Sequence, residues 1–333
     1  MHKRVRFLLG VALGGGALLL YAWYAGVGGI VDRARAVAPW ALGALALLVA
    51  AEGVVDGAGV WASVRPLDGG LDPLRSVQFA LAGDFFDIVS PAGAASSEPI
   101  MSRFISVATG TGYSEALGVR GVAKYVKATG QILLSSVVGV AVLRGDAAGV
   151  LRTLVAGVVA VVAVGVVGVV VGGPLARLSV AVLTPVAAAV STVVPGVAAD
   201  RERVAAAVDR FRTRVAEFGD RPALVALIVL GGVLEQLLVA VALWTLLTAL
   251  GTPVAFLPIL VVVPLPQAAT VVPVPASLGA YDLLLGGALV VTTGVASVTA
   301  ATAVLLFRTT SLAFGLSIGG LCAALLRGWR PGA

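Results

Sequence analysis

The sequence predicts an all-α integral membrane protein. It reads as a polytopic helical bundle of about six spans plus two re-entrant hairpins, arranged as an inverted repeat. Three observations lead there. The 333 residues are 59% hydrophobic and only 12% charged, with a mean hydropathy of +1.05, whereas a soluble domain is about a quarter charged. The apolar runs reach the roughly 20 residues that a helix needs to cross a bilayer. Two further apolar regions, 77–112 and 256–294, are interrupted by prolines and carboxylates and cannot be simple spans.

The same composition excludes several function classes. The net charge is +6, but the arginines fall in short stretches between apolar runs. That is a membrane-flank pattern, so no nucleic-acid partner is expected. Cys322 is the only cysteine and His2 the only histidine. The chain therefore has no Ser-His-Asp set, no CxxC pair and no Cys/His cluster, and neither a metal nor another cofactor is expected.

The first span is read over about 6–30, after Lys3, Arg4 and Arg6. Its apolar run is too long for a signal peptide and further spans follow, so it is expected to be retained. Asp32, Arg33 and Arg35 read as a short loop. The second span, 38–64, carries Glu52 and Asp56 four residues apart, hence on one helix face directed into the bundle or a wet cavity. After the polar loop 65–76 comes the first broken region. Its Asp84, Asp87, Pro91 and Glu98-Pro99 are tolerated at membrane depth only where protein or a cavity satisfies the backbone. The arms of the expected hairpin are 77–89 and 98–110.

A long helix over 113–143 then carries Arg120, Lys124 and Lys127. Residues 153–172 form an uncharged Val/Gly-rich span, and 174–198 either span or lie at the interface. The stretch 200–221 alternates Val, Ala and Phe with charges at helical spacing and reads as a cytosolic amphipathic helix. A span over 222–250 encloses Glu235-Gln236. The second broken region follows, and a last long helix, 295–326, has Arg308 in its middle.

The two broken regions superpose when one is slid by 184 residues. Pro91 falls on Pro275, Glu98 on Asp282, Ala116 on Ala300 and Lys124 on Arg308. Charges are rare in this chain, so matched charges mean more than matched alanines. The repeats are read as 38–143 and 222–326 within one membrane domain. Counting spans puts both termini in the cytoplasm and brings the hairpins in from opposite faces. Inverted repeats of this kind place a substrate site near the midplane, on broken helices.

Lys124 and Arg308 lie 11 and 13 residues into their helices, about 17–20 Å from the helix starts. A lone cation at that depth costs at least ~2.5–3.5 kcal/mol. Glu98 and Asp282 are the expected partners. These four residues are the candidate substrate or proton path. Pro91, Ser96, Ser97, Pro275, Ser277 and Gly279 are the candidate hairpin turns.

Three stretches carry a family resemblance. They are FALAGDFFDIVSPAGAASSEPIMSRFIS, then YSEALGVRGVAKY, and VVPVPASLGAYD followed by LLFRTTS. Together they resemble the lysylphosphatidylglycerol synthase transmembrane-region family, which also forms the flippase half of the bacterial multiple peptide resistance factor. The family's P-x-G-x-x-G-G-E element matches the first stretch, with Pro99 after the Glu. Its P-x-P-G-G-x-G-x-x-E element and later membrane arginine match the third. The family's paired glycines appear here as Ser96-Ser97 and Ala276-Ser277, and its second Glu as Asp282. Ala and Ser tolerate fewer backbone angles than Gly, which bears on how those turns fold.

The resemblance implies the membrane half only: binding or moving a lipid, or a lipid-linked intermediate, in the cell membrane. No soluble aminoacyl-transfer domain follows residue 326, so lysyl transfer is not expected. The leading expectation is a lipid flippase-like transporter whose partner is a membrane lipid, with homo-oligomerisation left open. Two alternatives stand beside it. One is an accessory subunit of an envelope lipid or glycan assembly pathway. The other is an intramembrane lipid transferase, for which Asp84 and Asp87 are the only close acidic pair near a hairpin and no nucleotide motif accompanies them.

Overall fold

A computed structural model of the protein describes residues 26–67, 70–90, 94–143, 149–159, 216–271, 275–327 and 329, and the isolated positions 16, 19, 23, 202, 205, 206, 209 and 213. Of residues 94–96, 268, 270, 271 and 275 it describes the backbone alone. The described residues are helical throughout, with turns between, and form a helical membrane bundle. Among the described residues, four helices are long and apolar enough to cross a bilayer: Pro39–Val64, Tyr113–Val142, Pro222–Ala249 and Ser297–Ala324.

Helix α1 runs over Val27–Ala36. Asp32, Arg33 and Arg35, expected in a loop, lie inside it. Arg and Ala are good helix formers, and the break comes later. Ala38 precedes Pro39 and is extended (φ −61°, ψ 136°), as a residue before proline must be. Pro39 then opens α2 (Pro39–Val64), at a position whose missing N–H costs nothing.

The first broken region is a pair of short helices rather than a span. Asp72 caps α3 (Pro73–Val89) by accepting the Arg75 amide at 2.9 Å, with Pro73 in the first turn. The helix stops at Ser90, which is extended because Pro91 follows it in the sequence. Helix α4 starts at Ala94, four residues earlier than the expected arm, and continues to Thr109 with Pro99 inside it. Pro91 itself lies outside the described residues, and Ser96 falls within α4 rather than in a turn. Gly110 (φ 72°) takes the left-handed conformation that ends α4 and lets the chain reverse into α5 (Tyr113–Val142).

Helix α6 is Gly149–Val159. The reading of 153–172 continues beyond the described residues. So do 174–198, most of 200–221 and most of the first span.

In the second half, α7 (Pro222–Ala249) is followed by α8 (Phe256–Val262) and two tight 3₁₀ segments, Leu265–Val271 and Pro275–Ser277. Prolines 264 and 266 explain why α8 is not continued as an α-helix. Helix α9 (Ala280–Thr293) ends on Gly294 (φ 71°). Helix α10 (Ser297–Phe314) then widens into a π-turn at Gly315–Gly319 before a last turn, Gly320–Ala324. The expected helix 295–326 is present as one continuous helix, Ser297–Ala324, with a π-turn inside it. The ends of α4 and α9, and the starts of α5 and α10, are each 184 residues apart.

Two apolar clusters hold the bundle. One joins Phe79, Phe86, Met101, Phe104, Ile105 and Val119 of the first half to Val60 of α2 and Ile228 of α7. The other joins Ile259, Leu285, Leu289 and Val304 of the second half to Leu45 and Val49 of α2 and Leu243, Leu246 and Leu247 of α7. The beginning of α2 therefore packs with the end of α7, and the two run antiparallel across the molecule. Small residues permit close approach. A Cβ on Gly57 would stand 2.7 Å from the Val77 Cα, and one on Gly319 would stand 2.5 Å from the Leu81 carbonyl oxygen. Among apolar membrane helices such close packing is a main source of association.

Candidate functional site

The charged groups inside the bundle come from one face of α5 and from the helices around it. Arg120, Lys124, Lys127 and Gln131 recur at intervals of four, three and four residues, which places them in line along the helix. Arg120 and Lys124 share one partner, and Lys127 and Gln131 have others.

Glu98, on α4, receives two parallel bonds from Arg120, Nε to Oε2 at 3.0 Å and Nη2 to Oε1 at 2.9 Å. This is the fork-to-carboxylate geometry that makes arginine pairs strong. Lys124 Nζ also stands 2.7 Å from Glu98 Oε1. The two cations differ in environment. The Arg120 side chain is 10% exposed and that of Lys124 is 42% exposed. Lys127 bridges the halves, 2.8 Å from Asp56 on α2 and 2.5 Å from Glu235 on α7. Gln131 donates to the Gly232 carbonyl at 2.8 Å and accepts from Gln267 at 2.6 Å. Nearby, Gln236 donates to Ser135 Oγ and to the Leu260 carbonyl. Glutamines thus tie α5 and α7 to the second broken region.

The second centre is built on the start of α9. Gly279, with φ 78°, leaves its amide free to bond the Asp282 carboxylate at 3.0 Å, which fixes the helix start. Asp282 is fully buried. Its other oxygen accepts from Arg308 Nε at 3.2 Å. Arg308 Nη2 donates to the Ala276 carbonyl at 2.5 Å, and the guanidinium carbon sits 4.4 Å from the Tyr281 ring centroid. Ala276 and Ser277 have φ of 53° and 51°. They are the positions where the family resemblance leads one to expect glycine, and they hold glycine-like angles at a conformational cost.

Three cavities lie beside these centres and share lining residues. One of about 230 Å³ is walled by Arg308, Tyr281, Ser277, Glu52, Asp84 and Asp87 among others. A smaller one shares Glu52, Asp84 and Asp87 with it and is also walled by Asp56, Glu98, Arg120 and Lys124. A third, of about 600 Å³, opens between α5, α6 and the second broken region, beside Lys124, Lys127, Gln131 and Gln267. Asp87 borders all three and accepts a hydrogen bond from Ser97. Among the described residues, no Lys or Arg nitrogen lies within 4.0 Å of Glu52, Asp84 or Asp87. None of the described His, Cys, Asp and Glu side chains form a group of three able to hold a metal ion.

The four residues named from the sequence therefore fall into two separate ion-pair centres. Glu98 stands with Lys124, and Asp282 with Arg308. Arg120 is the closer-bound partner of Glu98 and was not singled out, although its spacing of four from Lys124 marks the shared face. The Lys127–Asp56–Glu235 bridge joins residues distant in sequence, so no local spacing announces it. Among the turn residues, Ser277 and Gly279 shape the Arg308 centre, and Ser97 lies in α4 and bonds Asp87.

Such a chain is a multi-pass membrane protein whose polar, cavity-lined interior is built on two broken helical regions. Its sequence is matched over residues 7–319 by the family described as the lysylphosphatidylglycerol synthase TM region, and the chain belongs to that family. Membership connects it with membrane lipid. Searches among curated proteins and among solved structures gave no match.

Proposed function

We propose that the protein is a lipid flippase-like transporter, which moves a polar or lipid-linked head group across the cell membrane along these cavities. The observation that carries this reading is the concentration of ionisable side chains inside an apolar bundle. Four cations are paired with carboxylates, while Glu52, Asp84 and Asp87 border the same cavities without an ion pair of their own among the described residues. Charges at membrane depth are costly and are characteristic of ion, proton or substrate pathways. A bundle that needed only to pack would have little use for three cavity-lining carboxylates outside any ion pair. They suit a cationic portion of a head group or a coupling proton, and Lys124 and Arg308 suit its phosphate.

In this reading 38–143 and 222–326 are inverted repeats, and the two broken regions are re-entrant hairpins entering from opposite faces. The 184-residue spacing of matched helix ends, and of Glu98–Asp282 and Lys124–Arg308, supports the repeat. So does the antiparallel contact of α2 with α7. The site residues are Glu98, Lys124, Asp282 and Arg308, with Asp87 at the junction.

Mass spectrometry of lipid that co-purifies with the protein tests the reading. One phospholipid or lipid-linked class enriched over the membrane average is expected, and its enrichment should fall in Asp87→Asn. Lipid of bulk composition, unchanged by that substitution, would count against it.

A further inference from the structure

We propose that Arg308 is a two-position latch between the halves of the molecule. In the position seen, its guanidinium binds Asp282 and the Ala276 carbonyl and rests on Tyr281. In the other, it crosses the cavity to the carboxylates of Asp84 and Asp87 on α3 and Glu52 on α2, closing the passage between the two ion-pair centres. The latch does not depend on which lipid is carried.

Three independent features of the structure support it. The first is strain. Ala276 and Ser277 are consecutive non-glycine residues with φ of 53° and 51°. Such angles persist only where surrounding contacts impose them. The contacts here are the Arg308 bond to the Ala276 carbonyl and the Asp282 bond to the Gly279 amide. Release of Arg308 removes the first, and the turn is then free to relax toward ordinary angles.

The second is an alternative partner. Arg308 borders the same cavity of about 230 Å³ as Glu52, Asp84 and Asp87, none of which makes an ion pair within 4.0 Å among the described residues, although Lys124 and Lys127 line the adjoining cavity with them. Every titratable group facing the guanidinium across the first of these spaces is an acid or the Tyr281 phenol. A cation between one paired carboxylate and a group of unpaired ones has two favourable positions, which is what a bistable element requires.

The third is a helix built to adjust. The π-turn Gly315–Gly319 begins seven residues after Arg308. It packs directly on α3. A Cβ on Gly315 would stand 3.7 Å from the Asp84 Cβ, and one on Gly319 would meet the Leu81 carbonyl. π-Turns of this kind mark places where a helix changes register at a functional site.

Hydrogen–deuterium exchange of the 275–282 segment, measured on the full chain in lipid nanodiscs, tests the latch. The Gly279 amide reports it, because the Asp282 carboxylate holds that amide. Asp84→Asn with Asp87→Asn removes two of the three alternative partners without changing residues 275–282. Exchange there is expected to slow by about tenfold, because the second position of Arg308 is weakened. Ala276→Gly with Ser277→Gly relieves the left-handed angles and should slow exchange by a similar factor. Unchanged or faster exchange in either pair would overturn the proposal. Should the Asn pair fail to fold, Glu52→Gln on α2 carries the same expectation in the same direction, and an unchanged rate in it would also overturn the proposal.

Discussion

Glu98→Gln separates the two cations that share this carboxylate. The substitution keeps the size of the side chain and removes its charge. Arg120, only 9% exposed as a residue, then faces a neutral amide in place of a bidentate carboxylate. Leaving one buried member of an ion pair uncompensated costs about 3–5 kcal/mol. Glu98 is 17% exposed, so the lower end applies, about 3 kcal/mol. Lys124→Gln should behave differently. Its side chain is 42% exposed, the pair is partly hydrated, and pairs of that kind are worth about 0–1 kcal/mol. Arg120→Gln should cost less than Glu98→Gln, since Glu98 keeps Lys124 as its counter-ion. The assay is reversible unfolding in mixed micelles at increasing SDS fraction, read by circular dichroism for the three single variants and the two double variants. The Glu98–Arg120 cycle should return a coupling above about 1.5 kcal/mol and the Glu98–Lys124 cycle a coupling below about 1 kcal/mol. Equal couplings, or a Glu98→Gln cost under about 1 kcal/mol, would refute the assignment of Arg120 as the structural partner and Lys124 as the more loosely held one.

Lys127→Gln should be among the most destabilising substitutions, by about 3–5 kcal/mol in the same assay, because Asp56 and Glu235 would remain side by side without their cation. Asp56→Asn in that background should restore part of the loss. Gln267→Leu removes the donor to Gln131 and should cost about 1–2 kcal/mol, with loosening of the 265–271 segment visible by hydrogen exchange. Gly319→Ala should destabilise, because its Cβ would sit 2.5 Å from a backbone carbonyl, whereas Gly287→Ala meets nothing within 4 Å and should be neutral or stabilising by up to about 1 kcal/mol. Thermal unfolding of the two glycine variants side by side checks that contrast.

Much of the helical framework could be read from the sequence, because hydrophobic length and proline placement are local signals. The boundaries of α2, α5 and α7 fall within a residue or so of the runs that announced them. The departure at Asp32, Arg33 and Arg35 has a simple cause. Charge suggests a loop, but the backbone is broken only by Pro39, several residues on. The π-turn in the last helix is likewise invisible to hydropathy, since Gly315 and Gly319 are there to admit Ile88, Leu81 and Phe85 of α3. In the candidate site, rarity of charge made Glu98, Lys124, Asp282 and Arg308 conspicuous. It did not rank Arg120 above Lys124 as the partner of Glu98, because bond geometry decides that and spacing does not. Nor did it join Lys127 to Glu235, 108 positions away in the chain. The left-handed angles at Ala276 and Ser277 also run against the preferences of those residues, and only the contacts of Arg308 and Asp282 account for them.

Head-group translocation in liposomes tests the proposed transport most directly. Purified protein, reconstituted at one copy or fewer per vesicle, is given a panel of fluorescent lipids with cationic, zwitterionic and anionic head groups, and a membrane-impermeant quencher reports which leaflet each occupies. At least one head-group class should exchange between leaflets faster than in protein-free vesicles, and Asp87→Asn, which breaks no ion pair, should abolish most of that gain. Exchange no faster than in empty vesicles for every lipid, or full activity in Asp87→Asn, would contradict the proposed path.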